Sequence, residues 1–338
     1  MKTHYQRIFI AVFLGMLIVP LRTLALNPNA IADSFYPRER LVTWTTNLRL
    51  TIGDRVFPRV LAGDDGWLVF IGEGDLDDYQ KVELFTQSEL ESFQASLDAL
   101  ADDYAKRGIT LIVIVPPNKN TIYPERVPQE IPVIGKRSKL DQLTAHLKKN
   151  GNQQIIDLRP ALRKAKAERQ IYYATDTHWN DYGAYIAYSA ILKELNKSHP
   201  NLAPRPISDF NVINREPHTL DLAKNISTTL LPEGWVQLAP NFSRSTTYKD
   251  ISPGGRRLTL SYNPDESLPG LVMYYDSFFF NVIPMLGEHF HRGVLIQNFM
   301  GGGLWNFSWV DEHQPDVVII EFSERYLREM TRFIESGR

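Results

Sequence analysis

The sequence predicts an α/β fold, a parallel sheet covered by helices on both faces, and three observations carry that prediction. Strand-length apolar runs alternate with segments of helical period from about residue 63 to the end of the chain. One run, Ile109–Val115, is almost continuously apolar, as a strand buried on both faces must be. Neither an internal repeat nor a convincing linker divides the alternation, so residues 27–338 read as one catalytic domain.

Taken in order, residues 27 to about 60 are polar and aromatic and read as a loop leading into a helix. Gly63-Asp64-Asp65-Gly66 predicts a tight turn before a strand at Trp67–Phe70. Thr86 with Glu89 three residues on forms a capping box. The helix it opens carries Leu90, Phe93, Leu97, Leu100 and Tyr104 on one face and stops at Gly108. The buried strand follows, closed by Pro116-Pro117-Asn118-Lys119. Leu140, Leu143 and Leu147 mark the next helix, Ile155–Leu158 a short strand, and residues 160–169 another helix. Tyr172 and Tyr173 end a strand ahead of a loop at Asp176, and Ala184, Tyr188, Ile191 and Leu195 mark the helix beyond it. Residues 197–265, rich in Pro, Asn and Ser, are expected to form β-hairpins or an insertion over the site. Strands are then expected at Leu271–Tyr275, Val294–Gln297 and Val317–Phe322, a helix from about Ser277, and a final helix capped by Ser323.

Composition removes several function classes. The 338-residue chain has a formal net charge of −2, without the basic excess that a nucleic-acid partner requires. It has no cysteine, which excludes a disulfide scaffold, a cysteine zinc site and a thiol nucleophile. His289 and His291 sit one residue apart but have no evident third ligand, so they read as a surface helix end. Neither a metal nor a cofactor is expected. At the N-terminus, Lys2 and Arg7 precede an apolar run from Ile8 to Leu21, and Thr23-Leu24-Ala25 offers a cleavage site. Residues 1–26 therefore read as a signal peptide or signal anchor, with the remainder outside the cytoplasm.

Two segments place reactive side chains beyond strand ends, where parallel α/β sheets carry their sites. In Thr175-Asp176-Thr177-His178-Trp179-Asn180 the carboxylate and the imidazole, two residues apart, can share one side of an extended loop. Asp176 can then fix the tautomer of His178. In Tyr274-Tyr275-Asp276-Ser277-Phe278 a serine stands at a strand-to-helix turn, its N–H at a helix N-terminus where an oxyanion would be held. Each segment also has a plainer reading, a loop ion pair for the first and a helix-capping serine for the second. Together they supply a nucleophile, a base and an orienter.

These residues resemble a known family. Asp176-Thr177-His178-Trp179-Asn180 with Gly183-Ala184 is similar to the Asp-x-His-Trp-Asn-x-x-Gly-Ala signature of the AlgX/AlgJ group, SGNH-hydrolase-like proteins of exopolysaccharide O-acetylation. The likeness extends to Asp33–Arg38, Gly63–Phe70, Gly108–Glu125 with its Pro116-Pro117-Asn118-Lys119 element, Asp276-Ser277-Phe278, and Pro315–Ile319 through Arg325. It implies an SGNH-hydrolase-like, flavodoxin-like sheet with a permuted order of catalytic blocks, Asp176 and His178 preceding Ser277.

It implies further that Ser277 is the nucleophile, His178 the general base and acid, and Asp176 its orienter. The activity would be O-acetyl transfer to an exported or cell-envelope polysaccharide through an acetyl-serine, the acetyl group being supplied by a membrane-bound acyltransferase. An acetylesterase with the same triad, or a non-catalytic polysaccharide-binding or assembly subunit, fits the same residues. Tyr275 stands where the family's nucleophile block often has glycine, so a differently shaped turn is expected. Asn298, after a strand, is the candidate second oxyanion donor. Trp179 and Lys119 are candidate substrate contacts, and Trp235 and Trp305 candidate walls of an acceptor cleft. No carbohydrate-binding segment is expected after residue 338, so polymer capture falls to the catalytic cleft.

Overall fold

The computed structural model of the chain describes Leu14 and residues 38–252, 257–297 and 306–336. Residues 1–26 (Leu14 apart), read from the sequence as a signal peptide or anchor, lie outside these, as do Asn298 and Trp305. Among the described residues no helix is long and apolar enough to cross a membrane.

Helix α1 (Arg38–Thr51) leads into a small antiparallel sheet of β1 (Val56–Phe57), β2 (Val60–Ala62) and β3 (Leu68–Phe70), followed by α2 (Asp75–Gln80). The capping box of Thr86 and Glu89 forms as expected and opens α3 (Gln87–Lys106). Gly108 follows at φ +75°, a conformation that costs a side chain but not glycine. It turns the chain into β4 (Thr110–Val115). Then come α4 (Lys139–Asn150), β5 (Ile155–Asp157), α5 (Arg159–Lys166), α6 (Asp181–Leu195), β6 (Phe210–His218), α7 (Asp221–Asn225), β7 (Glu233–Pro240), β8 (Thr247–Asp250), β9 (Leu258–Tyr262), β10 (Gly270–Tyr275), β11 (Arg292–Gln297), α8 (Ser308–His313), β12 (Val317–Glu321) and α9 (Leu327–Ser336).

The main sheet has seven strands in the order β5-β4-β12-β10-β11-β9-β8. The five from β5 to β11 are parallel. Successive residues of these strands point to opposite faces, and both faces are buried. Ile112, Ile114, Leu271, Met273, Val317 and Ile319 pack with α6 in one core. Leu111, Val113, Val272, Tyr274, Val318 and Ile320 pack with α3, α4 and α9 in the other. This is the helix-covered parallel sheet that the alternation predicted.

Four local expectations are corrected. The sheet is mixed: of the segment read as hairpins or an insertion, the antiparallel pair β8–β9 continues the main sheet, while the antiparallel pair β6–β7 stands apart from it. β8 is wholly exposed and carries Lys249 and Asp250, charges that discourage further pairing at this edge. No strand runs through Tyr172 and Tyr173; Tyr172 makes a single bridge to Trp179. Beyond Ser277 there is no regular helix but a tight 3₁₀ turn, Ser277–Asn281, then one short helical turn, Ile283–Leu286. Pro284 has no N–H to give to the carbonyl of residue 280, so a continuous helix cannot form. Ser323 makes no side-chain cap; a 3₁₀ turn, Glu324–Tyr326, intervenes before α9.

Candidate active site

The reactive residues gather beyond the carboxyl ends of β4, β10 and β12. Ser277 follows β10, and the turn presenting it is pinned by Asp276. One carboxylate oxygen of Asp276 accepts the Phe278 N–H at 2.8 Å, the other accepts the Ser323 N–H at 2.9 Å, and the Asp276 N–H donates to Glu321 at 2.6 Å. Burial, together with the neighbouring Asp276 carboxylate, pushes Glu321 well above the usual carboxyl range. Asp276 caps this turn, so the Ser277 hydroxyl is left for other work. It is half-buried, and its Oγ lies 2.8 Å from His178 Nε2. As the first residue of the turn, Ser277 has a backbone N–H that the turn itself does not use.

His178 is held from its other side. Its Nδ1 is 2.7 Å from Asp176 Oδ1, and its backbone N–H donates to the same oxygen at 3.0 Å. Asp176 Oδ2 accepts the Asp221 N–H at 3.2 Å. Burial alone would raise the Asp176 carboxyl, but the hydrogen bond and charge of His178 and the two backbone N–H groups outweigh it and hold the group down to about 2. The carboxylate is therefore ionised at any pH above about 3. Thr177 Oγ1 lies 3.2 Å from His178 Nδ1 and donates to Asp221 at 3.0 Å. Atoms of Asp176, His178 and Asp221 all lie within 4.8 Å of one another, a spacing that small cations use. Both oxygens of Asp176 are already engaged by the bonds just described, which is how a carboxylate that orients an imidazole is held.

The rest of the signature has a structural purpose. Trp179 is 1% exposed, and its indole N–H donates to the Phe278 carbonyl at 2.9 Å, tying the histidine loop to the serine turn. Asn180 caps α6 by accepting the N–H groups of Tyr182 and Gly183. A Cβ on Gly183 would sit 2.6 Å from both the Ile171 carbonyl oxygen and Trp179 Cβ, so only glycine lets the helix start this close.

Two candidate substrate contacts are thereby corrected. Trp179 faces the core and offers no surface to a ligand. Lys119 is buried too, and its ammonium donates to the carbonyls of Tyr173, Ala174 and Asp176 at 3.1, 2.9 and 2.6 Å. Burial pulls Lys119 down to about 8, against the charges of Asp176 and Glu233. All three of its donors are spent on the loop that carries Asp176 and His178. Nor is His289 at the surface. It is buried against the Tyr188 hydroxyl at 2.8 Å, and burial, helped by Arg205, lowers it to about 4, while His291 bonds the Asn263 carbonyl. Trp235 is half-buried on β7, its ring beside Arg215 and His218, and shares a strand face with Glu233.

Glu233 and Asp221 are the residues that sequence reasoning missed. Glu233 accepts the N–H groups of Ala174 and Thr175 and the Thr175 hydroxyl, at 2.7–2.8 Å. With Lys119 on the carbonyls and Glu233 on the amides, the loop is clamped on both kinds of backbone group. Lys119→Met keeps the stem's bulk but strands three carbonyls. We expect about 3 kcal/mol of lost stability in urea titration. Turnover should fall about 100-fold with little change in KM, because the imidazole is displaced. Unchanged turnover in a folded Lys119→Met protein would mean that the loop holds its shape without the lysine.

Residues 60–259 match the family model described as SGNH hydrolase-like domain, acetyltransferase AlgX. The chain is 28% identical over 169 residues to the probable alginate O-acetylase AlgJ of Pseudomonas aeruginosa, a match covering 49% of this chain and 41% of that protein. Against the protein of the same name from Pseudomonas syringae pv. tomato it is 27% identical over 320 residues, 87% of this chain and 76% of the relative. The chain thus spans less than half of the first relative's length. Among solved structures, Bacillus cereus PatB1 aligns over 79% of this chain and 96% of its own, with a TM-score of 0.58 at 14% identity. A DHHW family protein from Eubacterium siraeum aligns over 83% and 97%, with a TM-score of 0.59 at 15% identity. The O-acetyltransferase domain of Pseudomonas putida AlgJ aligns over 83% and 100%, with a TM-score of 0.50 at 18% identity. At these identities the structural likenesses establish the SGNH-like α/β fold.

Proposed function

The chain belongs to the AlgX family of SGNH hydrolase-like acetyltransferases, and from that premise we propose that it is an O-acetyltransferase of an exported polysaccharide, working through an acetyl-Ser277 intermediate. The observation that carries the reading is the unbroken line of contacts from Asp176 Oδ1 through His178 to Ser277 Oγ, 2.7 and 2.8 Å in length. The relatives' names, alginate O-acetylases, support a polysaccharide acceptor. The domain would stand outside the cytoplasm, exported by or anchored through residues 1–26, and receive its acetyl group from a membrane-bound acyltransferase.

In the first half-reaction His178 Nε2 takes the Ser277 hydroxyl proton as Oγ attacks the donor's acetyl carbonyl. The Ser277 N–H is a donor for the oxyanion. Asn298, which lies outside the described residues, is proposed as the second. The tetrahedral adduct expels the donor's leaving group, which takes the proton back from His178, and acetyl-Ser277 remains. In the second half a sugar hydroxyl gives its proton to His178 and attacks the acetyl carbon. Ser277 Oγ leaves and is reprotonated by His178. Asp176 stays ionised throughout and stabilises the imidazolium. Trp235, with Trp305 outside the described residues, is proposed to line the acceptor side.

A transferase must hold the sugar hydroxyl where His178 can reach it and keep water from competing. Incubated with an activated acetyl ester and a panel of uronic-acid and neutral oligosaccharides, the protein should add acetyl groups to sugar at the expense of free acetate. Brisk acetate release with no acetylated sugar would make it an esterase. Neither product, with Ser277 never acylated, would leave a binding subunit.

A further inference from the structure

Helix α1 turns one face to the protein and an apolar one away from it. The inner face turns buried Thr46 and half-buried Leu50 toward the small sheet, where Leu50 packs on the cluster that holds Phe57, Leu68 and Leu222. The outer face carries Leu41, Trp44 and Leu48, and Ile52, one residue past the helix with its N–H on the Leu48 carbonyl, continues the same stripe. These side chains are 44%, 60%, 45% and 72% exposed. Val56, just past the helix, is 60% exposed. A contiguous apolar stripe of this kind marks a surface made to be covered.

The surrounding chain says by what. In the sequence, the apolar run Ile8–Leu21 precedes the helix by only the sixteen residues 22–37. Arg38 and Arg40 flank Glu39 at the start of the helix, while Arg49 is held inward by Asp54 at 2.7 Å. Trp44 stands in the middle of the stripe, and tryptophan favours the boundary between lipid headgroups and acyl chains. A helix with an exposed apolar stripe, a tryptophan in the middle of it and two arginines at its start suits the headgroup layer of a lipid surface.

We propose that α1 lies in the headgroup layer of a phospholipid bilayer with Leu41, Trp44, Leu48 and Ile52 turned into it. This placement does not depend on the chemistry of the triad, but it does position the triad. α7 packs through Leu222, Ala223 and Ile226 in the same cluster as Leu50, and α7 opens at Asp221, whose N–H holds Asp176. The triad would then stand one layer of structure above the lipid, within reach of a membrane-bound source of acetyl groups.

The absence of cysteine makes the test direct. The full chain, carrying W44C, L48C or, on the exposed end of α4, K148C, is labelled with an environment-sensitive fluorophore. It is then mixed with vesicles of phosphatidylethanolamine and phosphatidylglycerol. Labels at 44 and 48 should be shielded from iodide several-fold relative to 148, and quenched by lipids brominated on the upper acyl chain. Equal iodide access at all three positions would overturn the proposal, as would failure of the chain to float with the vesicles. Shielding from iodide without quenching by brominated lipid would also overturn it, because a protein surface would then be the partner. The fluorescence reads no activity, so membrane contact and acetyl transfer can fail independently of each other.

Discussion

Ser277→Ala should lower acetyl-ester turnover by on the order of 10⁶-fold and leave the fold intact. The structure separates the two readings that the sequence left open for this serine. Had Ser277 capped the turn, its loss would cost stability. The cap is Asp276, whose carboxylate takes the Phe278 N–H, while the Ser277 hydroxyl meets His178. Removing that hydroxyl therefore removes the acyl acceptor and little else. His178→Ala should cost about as much, and the double variant little more than either, because members of a triad act as a unit. Urea titration checks the fold and release of a chromogenic leaving group the turnover. A folded Ser277→Ala protein with native turnover would dismiss the triad.

Asp176→Asn should cost about 10⁴-fold in kcat, with the protein still folded. The reason lies in what surrounds the carboxylate. Oδ1 receives two donors, the Nδ1–H and the backbone N–H of His178, and Oδ2 receives the Asp221 N–H. An amide has one oxygen, so it must set its NH₂ against a donor in either orientation. Facing His178, the NH₂ makes Nδ1 an acceptor and puts the ring proton on Nε2, pointing at Ser277, where no base is then available. Facing Asp221, it repels the N–H that anchors the loop. Single-turnover kinetics of Asp176→Asn should show the loss in acylation. A drop of less than about tenfold would mean that His178 needs no orienter.

What the sequence made legible was local. The capping box at Thr86, the buried strand Thr110–Val115 and the Asp-x-His pair are each written within a few residues, and each has the expected form. Side-chain direction was not legible. Trp179 neighbours His178 in the sequence, but it bridges back to Tyr172 and donates its indole N–H to the Phe278 carbonyl, which puts its ring in the core. Lys119 follows a strand end, the usual place for a substrate contact, but turns inward onto three carbonyls. Glu233 and Asp221 come from the segment that composition marked as irregular. Their partners at 174–177 lie more than 40 residues away, and no short-range pattern announces such a pairing. The antiparallel strands β8 and β9 were hidden for a similar reason. β8 is exposed at every position and has no apolar run to announce it.

If Ser277 carries the acetyl group, mass spectrometry of the protein itself will find it there. The full chain is incubated briefly with an activated acetyl ester, quenched in acid and digested. The peptide containing Ser277 should gain one acetyl group, absent from Ser277→Ala and lost again when an acceptor oligosaccharide is added before the quench. An unmodified Ser277 peptide from a protein that is turning over the ester would contradict the acetyl-serine mechanism, as would an acetyl group that accumulates equally on Ser277→Ala.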